Sequence, residues 1–306
     1  MNVVDQCRAS VFKELWSHYY KLVPFAAKIE SSFKARGDKW VEDHVAYRTL
    51  PGDNTGRHIL QEAFELLGYK REDDYHFEEK RLDAFWMSPS DVEGDSESAS
   101  AKIFISELIL DSFSDEFKAA MTSVTSQVKN SPIPRLKDLQ AKAKAGDETA
   151  QAEFVKDMAA LLTKGPDWST PEKGIYETFK KESDYAAWTY LFGHQINHFT
   201  VSVHLMTSFT DIAEMGGFIE KDLDIPMNQS GGLVKGTEAL KLEQIATMAA
   251  KVPYKFKEGE EPISYGFVEF AKRYPLEGQK DDGTWKSYYQ GFVAANADKI
   301  FESTYK

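Results

Sequence analysis

What most restricts the fold of this chain is an order of elements that occurs twice. A β-branched, aromatic-rich run, "DHVAYRT" at residues 43–49, reads as a strand, and "GRHILQEAFELLGY" follows with apolar positions at Ile59, Leu60, Ala63, Phe64, Leu66 and Leu67 and a helix stop at Gly68. Strand-like runs come next at about 69–87, then a Ser, Asp, Glu and Gly stretch, "SPSDVEGDSESASA", and then "KIFISELIL". Past residue 190 the order returns: "GHQINHFTVSVHL" as a strand, "TDIAEMGGFIEKDL" as a helix, and strand-like material from "GLVKGTEALKLEQIATMAAKVPYKF" to "ISYGFVEFAKRY". A strand, a helix and three strands, twice over, predicts an α+β fold. Two βαβββ modules, at residues 38–111 and 191–275, would form one curved sheet around a cleft.

The remaining segments are helical or unassigned. Residues 1–36 alternate apolar and charged positions at helical spacing and break at Pro24 and Gly37, predicting two short helices. Residues 112–190 are rich in Ala, Lys, Glu and Leu and are punctuated by "SPIP" and "GPDWSTP", predicting a helical insertion between the modules. A C-terminal segment, 276–306, completes what is read as a single domain.

Composition narrows the partners. A formal charge of -12 and a pI near 5.2 oppose a nucleic-acid partner, which needs clustered Lys and Arg. No run approaches the roughly 18 apolar residues of a membrane span. The single cysteine, Cys7, cannot form an internal disulfide, and the first residues lack the basic and apolar regions of a leader, so a cytoplasmic location is expected.

Chemistry concentrates on the strands. Side chains alternate along a strand, so His44, Ala46 and Arg48 share one face while Val45 and Tyr47 take the other. Each module opens on a strand with a histidine, His44 or His198, and closes on a strand with an acid between apolar residues, Glu107 in "FISEL" or Glu269 in "FVEF". Pseudo-symmetry pairs His44 with His198 and Glu107 with Glu269, so four polar groups would converge on one cleft. A buried glutamate needs a partner, and a divalent metal held by two imidazoles and one carboxylate is one. That set leaves positions open and suits iron(II) binding a bidentate substrate with oxygen, whereas zinc would act as a Lewis acid.

Each residue also has a structural alternative. His44 could be a hydrogen-bonded core histidine, Glu269 could pair with Lys272 or Arg273, and Arg48 could pair with Glu107. His194, four residues before His198, is a rival ligand or a supporting group, and Gln244 either faces the cleft or is a plain amide. His18, His58, His76 and His204 have no matching acid and read as structural.

In this order, "HVAYRTL", "FISEL", "INHFT", "LEQIAT" and "YGFVEFAKR", placed around a helical insertion, resemble the 2-oxoadipate dioxygenase/decarboxylase family, also called D-2-hydroxyglutarate synthases. That family lies within the vicinal-oxygen-chelate superfamily of glyoxalases and extradiol dioxygenases. The resemblance spans about residues 38–275. It implies an iron(II) enzyme converting 2-oxoadipate and O2 to 2-hydroxyglutarate and CO2, with His44, His198 and Glu269 as metal ligands and Arg48 binding a substrate carboxylate. Gln244 and Ser230 are its further substrate-binding candidates, and His194 and Glu107 stand beside the ligands. The family's "LQSST" stretch reads "LEQIAT" here, placing Ile245 and Ala246 where small hydroxyl residues are usual. A glyoxalase-like isomerase or hydrolase using Zn(2+) or Ni(2+), and a non-catalytic small-molecule binder, are the alternative readings.

Overall fold

The computed structural model describes residues 2–90, 100–279 and 287–304. Most of the expected Ser, Asp, Glu and Gly stretch therefore lies outside the described residues. The chain opens with α1 (Val3–Leu22) and α2 (Pro24–Ala35). Asn2 caps α1 by accepting from the Asp5 amide, and Pro24 starts α2 at a position where its missing N–H costs nothing. Val11, Leu15 and Tyr19 of α1 are buried at helical spacing, and the Trp16 ring stacks on Phe199 of the sheet with centroids 3.6 Å apart.

The first module runs β1 (Glu42–Thr49), α3 (Gly56–Leu66), β2 (Tyr69–Phe77), β3 (Leu82–Pro89) and β4 (Lys102–Leu108). Gly68, at φ +84°, turns the chain out of α3 in the left-handed conformation that glycine adopts without strain. Five helices follow, α4 (Asp115–Thr125), α5 (Ile133–Lys144), α6 (Glu148–Thr163), α7 (Lys173–Glu182) and α8 (Asp184–Phe192). The second module is β5 (Ile196–Ser202), α9 (Ile212–Lys221), β6 (Lys235–Thr237), β7 (Leu242–Ala246) and β10 (Phe267–Arg273), with a separate hairpin of β8 (Lys251–Phe256) and β9 (Gly259–Ser264) inserted before its last strand. A helix, α10 (Ala294–Phe301), and a single 3-10 turn, Glu302–Thr304, end the described chain.

Among the described residues all strands but the hairpin form one eight-stranded sheet in the order β2-β3-β4-β1-β5-β10-β7-β6. In each half the first strand lies parallel to the last, β1 to β4 and β5 to β10, and the halves join where β1 meets β5 antiparallel. This is the α+β arrangement of two βαβββ modules, with the hairpin and α10 added. The faces differ in what covers them. Tyr47 packs on Phe64 of α3 with centroids 5.3 Å apart, while on the opposite face His44 meets Phe292, 4.7 Å away, and Arg48 meets Phe301. The His44 face is thus roofed by the C-terminal segment. Among the described residues no helix is long and apolar enough to cross a membrane.

The β1–β5 pairing slips twice. Glu42 pairs with Val201 but His44 with Thr200, which leaves Asp43 as an extra residue in β1; Ala46 pairs with His198 but Tyr47 with Ile196, which leaves Asn197 as an extra residue in β5. Each bulge residue immediately precedes a histidine. Bulges re-aim side chains and break the strict alternation of faces.

Candidate metal centre

His44 on β1, His198 on β5 and Glu269 on β10 come from three neighbouring strands. Glu269 pairs with Thr200, which also pairs with His44, so the register itself brings the three side chains together. One donor atom from each lies within 4.8 Å of the others, His198 Nε2 being 3.1 Å from Glu269 Oε2 and His44 Nε2 3.7 Å from Glu269 Oε1. All three residues are buried.

The donor set fits a divalent transition metal. His44 Nδ1 is 2.8 Å from Asp43 Oδ1 and His198 Nδ1 is 3.0 Å from Asn197 Oδ1, so an N–H donated outward from each ring leaves Nε2 as a lone-pair donor toward the common centre. The Thr200 hydroxyl lies 3.0 Å from His44 Nε2, close enough to donate to the same lone pair. Burial by itself would push the Glu269 carboxyl up, but His44, His198 and the Gln244 amide hold it below its ordinary value. Burial keeps His198 below its ordinary value as well, favouring the neutral imidazole that a metal requires.

Around this cluster lies a cavity lined by Arg48, Phe104, Ser106, Gln244 and, from the C-terminal segment, Phe292, Ala297, Ile300 and Phe301. Arg48 is buried; its guanidinium sits 5.2 Å from the Tyr185 ring centre, 5.0 Å from Trp188 and 5.3 Å from Phe301, and donates to Thr304 Oγ1 at 3.2 Å. Aromatic faces stabilise the cation where water does not reach. Gln244 Nε2 donates to Glu269 Oε1 at 2.5 Å while Gln244 Oε1 accepts from Asn296 at 3.0 Å, so both ends of the amide are fixed.

The model of one protein family, described as 2-oxoadipate dioxygenase/decarboxylase, matches residues 12–284. The chain belongs to the 2-oxoadipate dioxygenase/decarboxylase family. It is an oxidoreductase. It is 31% identical over 280 residues to the chloroplastic/amyloplastic 2-oxoadipate dioxygenase/decarboxylase of Oryza sativa subsp. japonica, covering 88% of this chain and 70% of that one. The corresponding chloroplastic protein of Arabidopsis thaliana is 32% identical over 275 residues, covering 86% and 68%. The crystal structure of the hydroxyglutarate synthase from Oryza sativa, in complex with 2-oxoadipate, superposes with a TM-score of 0.79 at 28% identity, covering 98% of this chain and 93% of that one.

Within this family member, other candidates from the sequence fall elsewhere. Glu107 does not reach the cleft: Oε2 accepts from the Arg57 backbone N–H at 2.7 Å, at the start of α3 on the opposite face of the sheet. It does not pair with Arg48, and Arg273 does not pair with Glu269. His194 is no part of the donor cluster. It precedes β5, in a turn packed closely on Gly165, and its Nε2 lies 2.8 Å from Thr49 Oγ1, so the strand alternation carried back from His198 does not apply to it. Ser230 does not line the cavity; its hydroxyl donates to Glu302.

Several residues of the site had not been singled out. Asp43 takes a two-pronged ion pair from Arg273, Nε to Oδ2 at 2.6 Å and Nη2 to Oδ1 at 2.8 Å, with both side chains fully buried. Burial opposes charge on Asp43, but Arg273 and Lys102 hold its carboxyl well below the usual range. Asp43 and Asn197 each stand directly before a ligand candidate in the sequence, and that adjacency was the available signal. Asn296 and the apolar wall of α10 carried none.

Proposed function

We propose that this chain is a mononuclear iron(II)-dependent dioxygenase and decarboxylase of a 2-oxo dicarboxylic acid, 2-oxoadipate being the expected substrate. The reaction is 2-oxoadipate plus O2 giving 2-hydroxyglutarate plus CO2. Its atoms balance without an external reductant: the C1 carboxyl leaves as CO2 with its own two oxygens, one atom of O2 enters the new carboxylate formed at the former keto carbon, and the other becomes the new hydroxyl. The observation that carries this reading is the buried cluster of His44, His198 and Glu269 opening on the same cavity as Arg48. These three residues would hold the metal, and iron(II) bound there would supply the redox chemistry that O2 needs.

The protein's own residues supply binding and exclusion. Arg48 would grip a substrate carboxylate through two parallel N–H donors, a geometry that a planar guanidinium matches. Gln244 steadies the Glu269 carboxylate by donating to one of its oxygens. Phe104, Phe292, Ile300 and Phe301 give the wall an apolar stretch, which keeps water from the reacting atoms. The buried thiol of Cys7, with no second cysteine to pair with, is in keeping with the reducing cytoplasm, where we place the enzyme.

Protein purified without oxygen and loaded with iron(II) should consume O2 when given 2-oxoadipate and release CO2 in equal amount, with 2-hydroxyglutarate as the organic product. A glyoxalase-like isomerase or hydrolase would instead work with Zn(2+) or Ni(2+) and consume no oxygen. A binding protein would take up the 2-oxo acid without turning it over. Absence of substrate-dependent O2 uptake by iron-loaded protein would overturn the proposal.

A further inference from the structure

We propose that the two bulge residues, Asp43 and Asn197, are positioning residues that set which nitrogen each cleft histidine offers, one as a charged carboxylate and the other as a neutral amide. This rests on the ligand set proposed above and goes beyond it. In a regular strand a residue and its successor point to opposite faces, so a side chain cannot readily support the ring that follows it. The extra residue in each strand relaxes that restriction. Asp43 is the unpaired residue of β1 and Asn197 that of β5, and both place a side-chain oxygen on the Nδ1 of the next histidine, at 2.8 Å and 3.0 Å. The same device appears once in each half of the sheet, on the two strands that meet at its centre.

The two supports differ in charge and in how they are held. Asp43 is locked by Arg273, whose Nη1 also donates to the backbone oxygens of Tyr289 at 2.8 Å and Gly291 at 2.9 Å. A carboxylate fixed in this way can only accept, so it holds His44 with its proton on Nδ1 and raises the donor strength of Nε2. Asn197 is a neutral amide, also buried, and its Nδ2 has no hydrogen-bond partner among the described residues. An amide group left unsatisfied in a buried place is costly, which fits a side chain held for what its oxygen does to His198. The site therefore has a strong imidazole donor in His44 and a weaker one in His198.

Asn197 gives the cleaner test, because Asp43→Asn would turn an amide N–H toward either Arg273 or His44 and strain the pair. The probe is Co(II), titrated without oxygen into metal-free full-length protein and read from its visible absorption, with circular dichroism to check folding. Asn197→Leu, close in size but unable to accept, should weaken Co(II) binding about 10- to 100-fold, the usual effect of losing such a support. Asn197→Ala, which asks less of the packing, should do the same. Asn197→Asp, which can only accept, should bring the affinity back to within a few-fold of wild type. Wild-type affinity in the folded Leu and Ala variants, or an Asp variant as weak as Leu, would overturn the positioning role. The ligand set fails separately: it is wrong if wild type binds Co(II) no better than His198→Ala.

Discussion

Phe104 occupies in the first half of the sheet the position that Glu269 occupies in the second. His44 pairs with Lys102 on β4 and His198 pairs with Phe267 on β10, and two residues further along each parallel strand stand Phe104 and Glu269. Glu107 lies three residues beyond Phe104, an odd step, and so faces away from the cleft. The pseudo-symmetry of the two modules therefore delivers two histidines but one carboxylate, and at the position matching Glu269 the aromatic ring of Phe104 closes the cavity instead.

Glu107→Ala should accordingly leave metal uptake unchanged and cost stability. Thr55, the residue before α3, makes no side-chain cap, and the Glu107 carboxylate satisfies the Arg57 N–H in its place. Loss of a helix cap costs about 0.5–2 kcal/mol, which a urea midpoint would register. An iron content reduced in proportion to that of His44→Ala would contradict this placement of Glu107.

How much of this was legible in the sequence depended on parity. The placement of His44 and Arg48 on one face followed from even spacing within a strand, and the module order followed from periodicity. Where an odd step or a slip in register decided the outcome, letters were silent: Glu107 was matched to Glu269 by its neighbours rather than by its distance from the strand's start, and nothing in "VEDHV" or "INHFT" marks Asp43 or Asn197 as an extra residue. For His194 the alternation fails for another reason, since β5 begins only at Ile196. The roof formed by Phe292, Ile300 and Phe301 is a contact between distant parts of the chain, which local patterning does not report.

His194 has a pH signature. Burial pushes its imidazole down to about 3, from an ordinary value of 6.5. Between those values the unfolded chain binds a proton that the folded chain does not, so the stability contribution present above pH 6.5 is lost progressively as pH falls toward 3. The limiting slope is about 1.4 kcal/mol per pH unit. His194→Gln, which keeps a polar group beside Thr49, should give a shallower fall in unfolding free energy between pH 6.5 and 4 than wild type. Parallel curves for the two proteins would mean that His194 takes up its proton without unfolding.

Gln244 and Asn296 form a short relay to the cleft carboxylate, Asn296 donating to Gln244 and Gln244 to Glu269. Gln244→Leu should weaken Co(II) binding about tenfold, at the lower end for groups that steady a ligand. Asn296→Ala, one step further out, should reproduce part of that loss, because the Gln244 amide would be free to turn. Wild-type affinity in Asn296→Ala beside a weakened Gln244→Leu would limit Asn296 to packing α10 against the sheet.

Arg48 separates substrate positioning from metal binding. Its guanidinium does not join the donor cluster and is held by aromatic faces and Thr304, so Arg48→Ala should still take up iron with nearly unchanged stoichiometry, whereas His44→Ala and Glu269→Ala should lose most of it. Activity should behave in the opposite way. A charge-assisted contact to a carboxylate is worth about 1.5–3 kcal/mol, or roughly one to two powers of ten in kcat/KM, and lost orientation adds to that. Arg48→Lys should recover little, since an ammonium cannot present two parallel donors and lies less well between aromatic rings. O2-uptake kinetics with 2-oxoadipate, run beside iron analysis of the same preparations, decide the matter. An Arg48→Ala protein that holds its iron and turns over at the wild-type rate with unchanged KM would leave Arg48 as a packing cation among Tyr185, Trp188 and Phe301, and the substrate's carboxylate would have to be gripped elsewhere in the cavity.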